Sequence, residues 1–224
     1  MQPLDRPVWE SLNTWHAPLS VGDSLARRFA PDVNLFASAR DDTAAALTAL
    51  TNLMQPGERV FILQVQQIAV PPGLNAVKAA QGVQMIATRS FSAPSMHDIV
   101  KLTDADAPEM LALATLTEPG PFLARTHRMG TFLGIRIGGR LAAMAGERLR
   151  FPGHTEVSGV CTHPDFRGRG LARRLSAAVA ASIESRGERP FLHAWATNRA
   201  AIALYESLGF AIRAEVQVRV LERP

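Results

Sequence analysis

The residues best suited to chemistry form one short run, Arg167-Gly168-Arg169-Gly170-Leu171-Ala172-Arg173, between an apolar strand-like stretch and a long helical pattern. Arginines beside glycines at a strand-to-helix corner suit the binding of an anion. A helix N-terminus leaves about four backbone N–H groups without an internal partner and carries roughly half a positive charge. Glycine lets that backbone approach a ligand with no Cβ in the way, and arginine adds forked donors that match phosphate oxygens. On these grounds the corner reads as a phosphate cradle, although a solvated basic turn has the same composition. Two other phosphate motifs fit badly. No G-x-x-x-x-G-K-[S/T] occurs, and the G-x-G-x-x-G pattern that starts at Gly168 meets Arg173 where its last glycine belongs. On that mismatch the dinucleotide reading is set aside.

The elements that must hold this corner are legible around it. Glu156 to Thr162 reads as a strand ending at His163-Pro164, with Gly159 consistent with a bulge. Leu171, Leu175, Val179 and Ile183 recur every four residues, which predicts a helix that stops at Gly187. Residues 190–195 are the next strand, residues 198–208 a helix stopped by Gly209, and residues 210–221 a closing strand or hairpin. Upstream come a strand at 98–102, a helix at 103–116 with acidic residues in its first turn, and a short helix near 123–129. Strands at 131–137 and 140–150 follow, joined through Gly138-Gly139 as a hairpin.

The first half reads as mixed α/β: a short helix at 7–15, strands at 33–39, 59–65 and 83–89, and a helix after the capping candidates Asp41, Asp42 and Thr43. It carries no recognisable catalytic motif. The stretch Ser92 to Ser95 is the expected boundary. It divides the chain into an N-terminal α/β domain, 1–95, of unassigned role and a second domain, 96–224. The class is α/β, in the mixed α+β sense.

Composition narrows the partners. With 224 residues the chain can bury a real core. No apolar run approaches the roughly 20 residues that cross a bilayer, and the opening MQPLDRPVWE lacks the pattern of a signal peptide. Cys161 is the single cysteine, which leaves no intramolecular disulfide and no cysteine-rich metal site; the six histidines show no metal-ligand spacing. A reducing, cytoplasmic setting with no metal and no membrane is expected. Residues 1–97 hold seven basic and seven acidic side chains, and residues 98–224 hold seventeen and thirteen. All of the net +4 charge therefore lies in the half with the corner, where an anionic ligand is favoured. A nucleic-acid partner is not expected, because one tyrosine and 6% aromatic residues offer little for bases to stack on.

The run Arg167 to Ala172 resembles the R/Q-x-x-G-x-G/A signature of the GNAT superfamily of acyl-CoA-dependent N-acyltransferases. Residues 98–222 resemble that fold in element order. Asn198-Arg-Ala-Ala-Ile-Ala-Leu-Tyr205 with Leu208-Gly209-Phe210 is similar to the family's second recurring stretch. An α/β half before such a domain also resembles the glycine N-acyltransferase-like branch. The resemblance implies a splayed, mostly antiparallel sheet flanked by helices and acetyl-CoA as cosubstrate. Its diphosphate would sit on the amides of Gly168, Arg169, Gly170, Leu171 and Ala172, with charge from Arg167, Arg169 and Arg173. Its pantetheine arm would pair with the main chain of Val160, Cys161 and Thr162.

The resemblance further implies a general base at Glu156, eleven residues before Arg167, and a general acid at Tyr205, whose hydroxyl would protonate the departing thiolate. Asn198 caps its helix, contacts coenzyme A, or does both. Cys161 amid apolar strand residues reads as buried rather than nucleophilic. The acceptor, a small-molecule or peptide amine, would meet Glu118 and Phe122 in the loop after the first helix of this domain. A homodimer is compatible with this pattern. The alternative is a domain that holds acyl-CoA as a sensor or scaffold without turnover; Glu156 and Tyr205 together favour the enzyme.

Gly170→Glu is expected to abolish acetyl-CoA binding in calorimetry, because it sets a side chain and a like charge against the diphosphate. Wild-type affinity in that variant would remove the cradle.

Overall fold

The computed structural model describes residues 2–92 and 94–224, so Ala93, inside the boundary expected at Ser92 to Ser95, lies outside the described residues. The first half contains α1 (Pro7–Asn13), β1 (Ser20–Gly22), β2 (Ala26–Phe29), β3 (Ala37–Ala39), α2 (Ala44–Asn52), β4 (Arg59–Gln64) and β5 (Asn75–Ala87). Then come β6 (Ile99–Lys101), α3 (Ala107–Thr117), β7 (Phe132–Ile137), β8 (Arg140–Phe151), β9 (His154–Thr162), α4 (Leu171–Ser185), β10 (Arg189–Trp195), α5 (Arg199–Leu208) and β11 (Phe210–Glu222). Local chemistry accounts for most of the boundaries. Thr43 caps α2 by accepting from the Ala46 N–H, and Asn198 caps α5 by accepting from the Ala201 N–H at 3.1 Å. The four-residue spacing on α4 puts Leu171, Leu175, Val179 and Ile183 on its buried face. Each such side chain contributes about 1.5–3 kcal/mol on leaving water.

Three differences from the sequence expectations matter. The helix expected near 123–129 is one 3-10 turn, Thr126–Met129. β1 and β2 pair antiparallel with each other and with β3 as a small sheet that the sequence did not announce. β5 is thirteen residues long, and its exposed first half, with no apolar alternation to mark it, lies against the end of β11.

The large sheet has the order β4-β11-β5-β10-β9-β8-β7-β6. Every neighbouring pair is antiparallel except β9 with β10. β5, from the half to which the sequence assigned no role, sits between β10 and β11. Hydrogen bonding therefore crosses the boundary expected at residue 95, and both halves share one sheet. Alternation along the strands feeds two cores. Val83, Met85, Val157 and Leu192 meet α4 and α5 on one face, while Ile86, Leu149, Phe191 and Val218 meet Leu4, Val8 and Leu12 on the other. α3 covers the remainder of that second face through Met110, Leu113 and Ala114, which pack on Met144 and Cys161.

His16 secures α1 to the turn before β7. Its Nε2–H donates to the Met129 carbonyl at 2.6 Å, so Nδ1 accepts from the Ser11 hydroxyl at 2.6 Å. Burial lowers the His16 pKa, consistent with a neutral ring in that role.

Because β10 and β11 meet only through β5, a fragment of residues 96–224 is expected to lack a cooperative thermal transition by circular dichroism. A fragment that melts sharply would show that the second half folds alone.

Candidate active site

The corner of charge and glycine is the exposed approach to α4. Gly168 and Gly170 lie at φ +76° and +72°, and a Cβ built on either meets nothing within 4 Å. The left-handed backbone that glycine tolerates is thus used here to leave open space. The first hydrogen bond of α4 runs from Arg174 N–H to Gly170 O at 3.1 Å. The cap residue Gly170 offers no side chain to the first turn. Among the described residues, the amides from Gly168 to Arg173 have no protein acceptor, which leaves a run of consecutive donors at the positive end of a helix. Arg167 and Arg169 are exposed beside them, Arg169 lying over the Phe166 ring at 5.5 Å. Arg173 instead turns to the Ser207 hydroxyl and carbonyl. These residues fit a diphosphate.

β9 and β10 are in register only at Arg189↔His154, Pro190↔Thr155 and Phe191↔Glu156. Beyond Glu156 the two strands part, leaving the end of β9 unpaired on that side. On its other side β9 stays on β8 through a bulge: Gly146 faces Ser158 and Met144 faces Cys161, so Gly159 and Val160 together oppose one residue. Gly159 makes this turn at φ +60°, and a Cβ there would come within 2.8 Å of the Phe132 ring. Val160, Cys161 and Thr162 lie on the parted segment, where main-chain groups can pair with an extended ligand.

The gap opens into a cleft of about 240 Å³ whose walls include Val160, Asn198, Tyr205, Glu118, Arg148 and His193. Tyr205 is nearly buried, and burial together with the Glu156 carboxylate pushes its pKa up to about 12. The phenol therefore keeps its proton at neutral pH. Glu118 ends α3 at φ 48°, the one positive φ of a non-glycine side chain among the described residues. Phe122 stands edge-on to Phe132 in an adjoining small cavity rather than in the cleft itself.

Glu156 does not occupy the position of a free base. Its side chain is 0% exposed, and both oxygens are engaged: Oε2 accepts from Arg148 Nε at 2.8 Å, Oε1 from Arg148 Nη2 at 2.6 Å and from His193 Nδ1 at 2.7 Å. Burial alone would raise its pKa, but Arg148 and then His193 overrule it and hold the group down to about 2. The Leu149 N–H adds a fourth contact at 3.3 Å, so the carboxylate is not placed as the free base that the resemblance implied. Glu156 orients its neighbours instead. The tautomer of His193 follows from the groups around it. Gln84 Oε1 accepts from Arg213 at 2.9 Å, and Gln84 Nε2 donates to the Leu4 carbonyl at 2.8 Å. The Gln84 amide nitrogen therefore faces His193 Nε2 at 3.1 Å. His193 thus keeps its proton on Nδ1, toward Glu156, and a lone pair on Nε2.

Cys161 is buried, and burial pushes its thiol up to about 11, so it stays protonated and unreactive at neutral pH. Among the described residues no group of His, Cys, Asp and Glu could hold a metal ion, and no helix is long and apolar enough to cross a membrane. Sequence reasoning missed Arg148, Gln84 and the pairing of His193 with Glu156. The one available signal was that Phe191 and His193 alternate onto the same face of their strand; the parallel register that sets them beside Glu156 is a tertiary fact.

The chain is similar to known proteins in sequence and in fold. Residues 132–220 match the FR47-like protein family. Over 100% of both chains the protein is 44% identical to a protein of the GNAT acetyltransferase family from Novosphingobium aromaticivorans, with a TM-score of 0.94. A GCN5-related N-acetyltransferase from Kribbella flavida shares the fold at 16% identity over 100% of this chain and 96% of its own, with a TM-score of 0.65. The [ribosomal protein bS18]-alanine N-acetyltransferase of Salmonella typhimurium is 48% identical over 52 residues, 23% of this chain; the match spans only 35% of that enzyme's length.

Glu156→Gln leaves the Arg148 guanidinium buried without its carboxylate, and a loss of about 3–5 kcal/mol is expected in urea unfolding at pH 7. A carboxyl lowered from 4.5 to about 2 stabilises the fold above pH 4.5 and loses that contribution as the pH falls toward 2. The gap between wild type and variant should therefore narrow steadily below pH 4.5. A gap that stays constant down to pH 3 would contradict the assignment.

Proposed function

The chain belongs to the GNAT acetyltransferase family, and from that premise we propose that it transfers the acetyl group of acetyl-CoA to a primary amine in the cleft between β9 and β10. The observation that carries this reading is the path itself: unpartnered amides at the start of α4 lead to a parted strand, and the parted strand leads to Tyr205 and His193. Acetyl-CoA supplies the acyl carbon as a thioester. The amides of Gly168 to Ala172 and the side chains of Arg167 and Arg169 hold its diphosphate, with Arg173 nearby. Val160, Cys161 and Thr162 offer main-chain groups to the pantetheine arm, and Asn198, whose side-chain oxygen caps α5, lines the same cleft.

Each remaining residue has a task set by its chemistry. The amine nitrogen forms the new C–N bond as the C–S bond breaks, so one proton must leave nitrogen and one must reach sulfur. Tyr205 holds its proton at neutral pH and donates it toward the sulfur. Glu156 is closed by its own ion pairs and the Nε2 lone pair of His193 by the Gln84 N–H, so the amine proton leaves to solvent in the cleft. Glu156 is thus a positioning residue, and Glu118 at the cleft wall attracts the incoming ammonium group. The local likeness to a ribosomal-protein-alanine N-acetyltransferase keeps a peptide amine beside small-molecule amines as an acceptor.

Tyr205→Phe is expected to lower kcat by about 10²-fold or more while leaving acetyl-CoA affinity unchanged. Thiol release measures the first and calorimetry the second. An unaltered kcat would remove Tyr205 from the acid role.

A further inference from the structure

The half of the chain without a catalytic motif builds the far wall of the cleft. Phe36, which precedes β3, lines it together with Phe61 and Leu63 of β4 and Val218 of β11. The rings of Phe36 and Phe61 meet edge to face at 6.2 Å. The Arg148 guanidinium lies over Phe36, 4.8 Å from the ring centroid. Its Nε and Nη2 are spent on Glu156. Nη1 has no hydrogen-bond acceptor among the described residues and points toward the loop after α3, where a Cβ added to Gly120 would come within 3.7 Å of it. The Arg148 side chain is only 10% exposed. A nine-tenths-buried cation therefore keeps one end of its fork without an acceptor among the described residues, beside Gly120, where the cleft and its apolar wall adjoin the smaller cavity of Phe122.

Resting on the acetyl-transfer reading above, we propose that the acceptor is a free amino acid with an apolar side chain. Its carboxylate meets Arg148 Nη1, its side group lies on Phe36, Phe61, Leu63 and Val218, and its amine is left between them near His193. The match is chemical. Guanidinium N–H groups pair with carboxylate oxygens through short, charge-assisted bonds, and an aromatic wall takes up an apolar side group. Size agrees as well: about 240 Å³, shared with the thioester end, leaves room for one residue-sized acceptor. A peptide N-terminus carries an amide where this site offers a partner to a carboxylate.

Binding and turnover test separate parts of this reading. Calorimetry on the protein saturated with coenzyme A compares L-leucine, L-leucinamide and isoamylamine. Leucine is expected to bind at least ten-fold more tightly than the other two, and leucinamide binding as well as leucine would overturn the proposal. Arg148→Lys keeps a charge beside Glu156 but loses Nη1. It should erase the preference for leucine over leucinamide, and a preference that persists in a folded variant also overturns the proposal. Should that variant not fold, the wild-type comparison alone decides. Thiol release from acetyl-CoA with the same three amines tests the transfer reading independently. Selective leucine binding without thiol release sinks acetyl transfer and keeps the carboxylate site; equal thiol release with leucine and leucinamide does the reverse.

Discussion

β9 and β10 hold together for three residues and then separate, and the functional part of the molecule is arranged around that parting. At the last paired position, Glu156 opposite Phe191, the sheet carries a buried carboxylate bonded to Arg148 on one side and His193 on the other. Removing any one of these groups leaves a charge or a donor in a dry site, where a missing partner costs far more than the complete pair contributes. The network therefore marks where pairing stops. Beyond it, backbone groups that would otherwise satisfy each other are free for a ligand, and the cleft passes from the face of α4 and α5 to the face of α1.

This arrangement separates tasks by sheet face. Tyr205 belongs to the core under α4 and α5, whereas Phe36, Leu63 and Val218 belong to the core under α1. A group entering from the helix N-terminus and one entering along the aromatic wall can meet only at the gap. The charge of Glu156 is felt on both sides: it fixes the tautomer of His193 and helps keep the Tyr205 phenol protonated. The same carboxylate is thus structural in its contacts and electrostatic in its effect, without being exposed to anything that reacts.

The N-terminal half also acquires a physical role. β5 is the seam between β10 and β11, and Gln84 on it reaches both the Leu4 carbonyl and His193. Leu4, Val8 and Leu12 bury the face from which Arg148 and His193 project. The first half is therefore part of the site's scaffold and wall, although its sequence contains nothing that looks catalytic.

What could be read from the amino-acid order was whatever depends on neighbours along the chain. The four-residue spacing of α4, the caps at Thr43 and Asn198, the glycine bulge in β9 and the corner of glycine and arginine at Arg167 to Arg173 are all local, because helix periodicity, capping and turn geometry act over a few residues. The resemblance singled out Glu156, but its contacts come from partners eight and thirty-seven residues away. The same holds for β5, whose exposed first half has no alternation and becomes a strand only because β11 lies beside it. Register between distant strands, and therefore which charge meets which, is set by the packing of two whole faces at once. No short stretch of sequence contains that information.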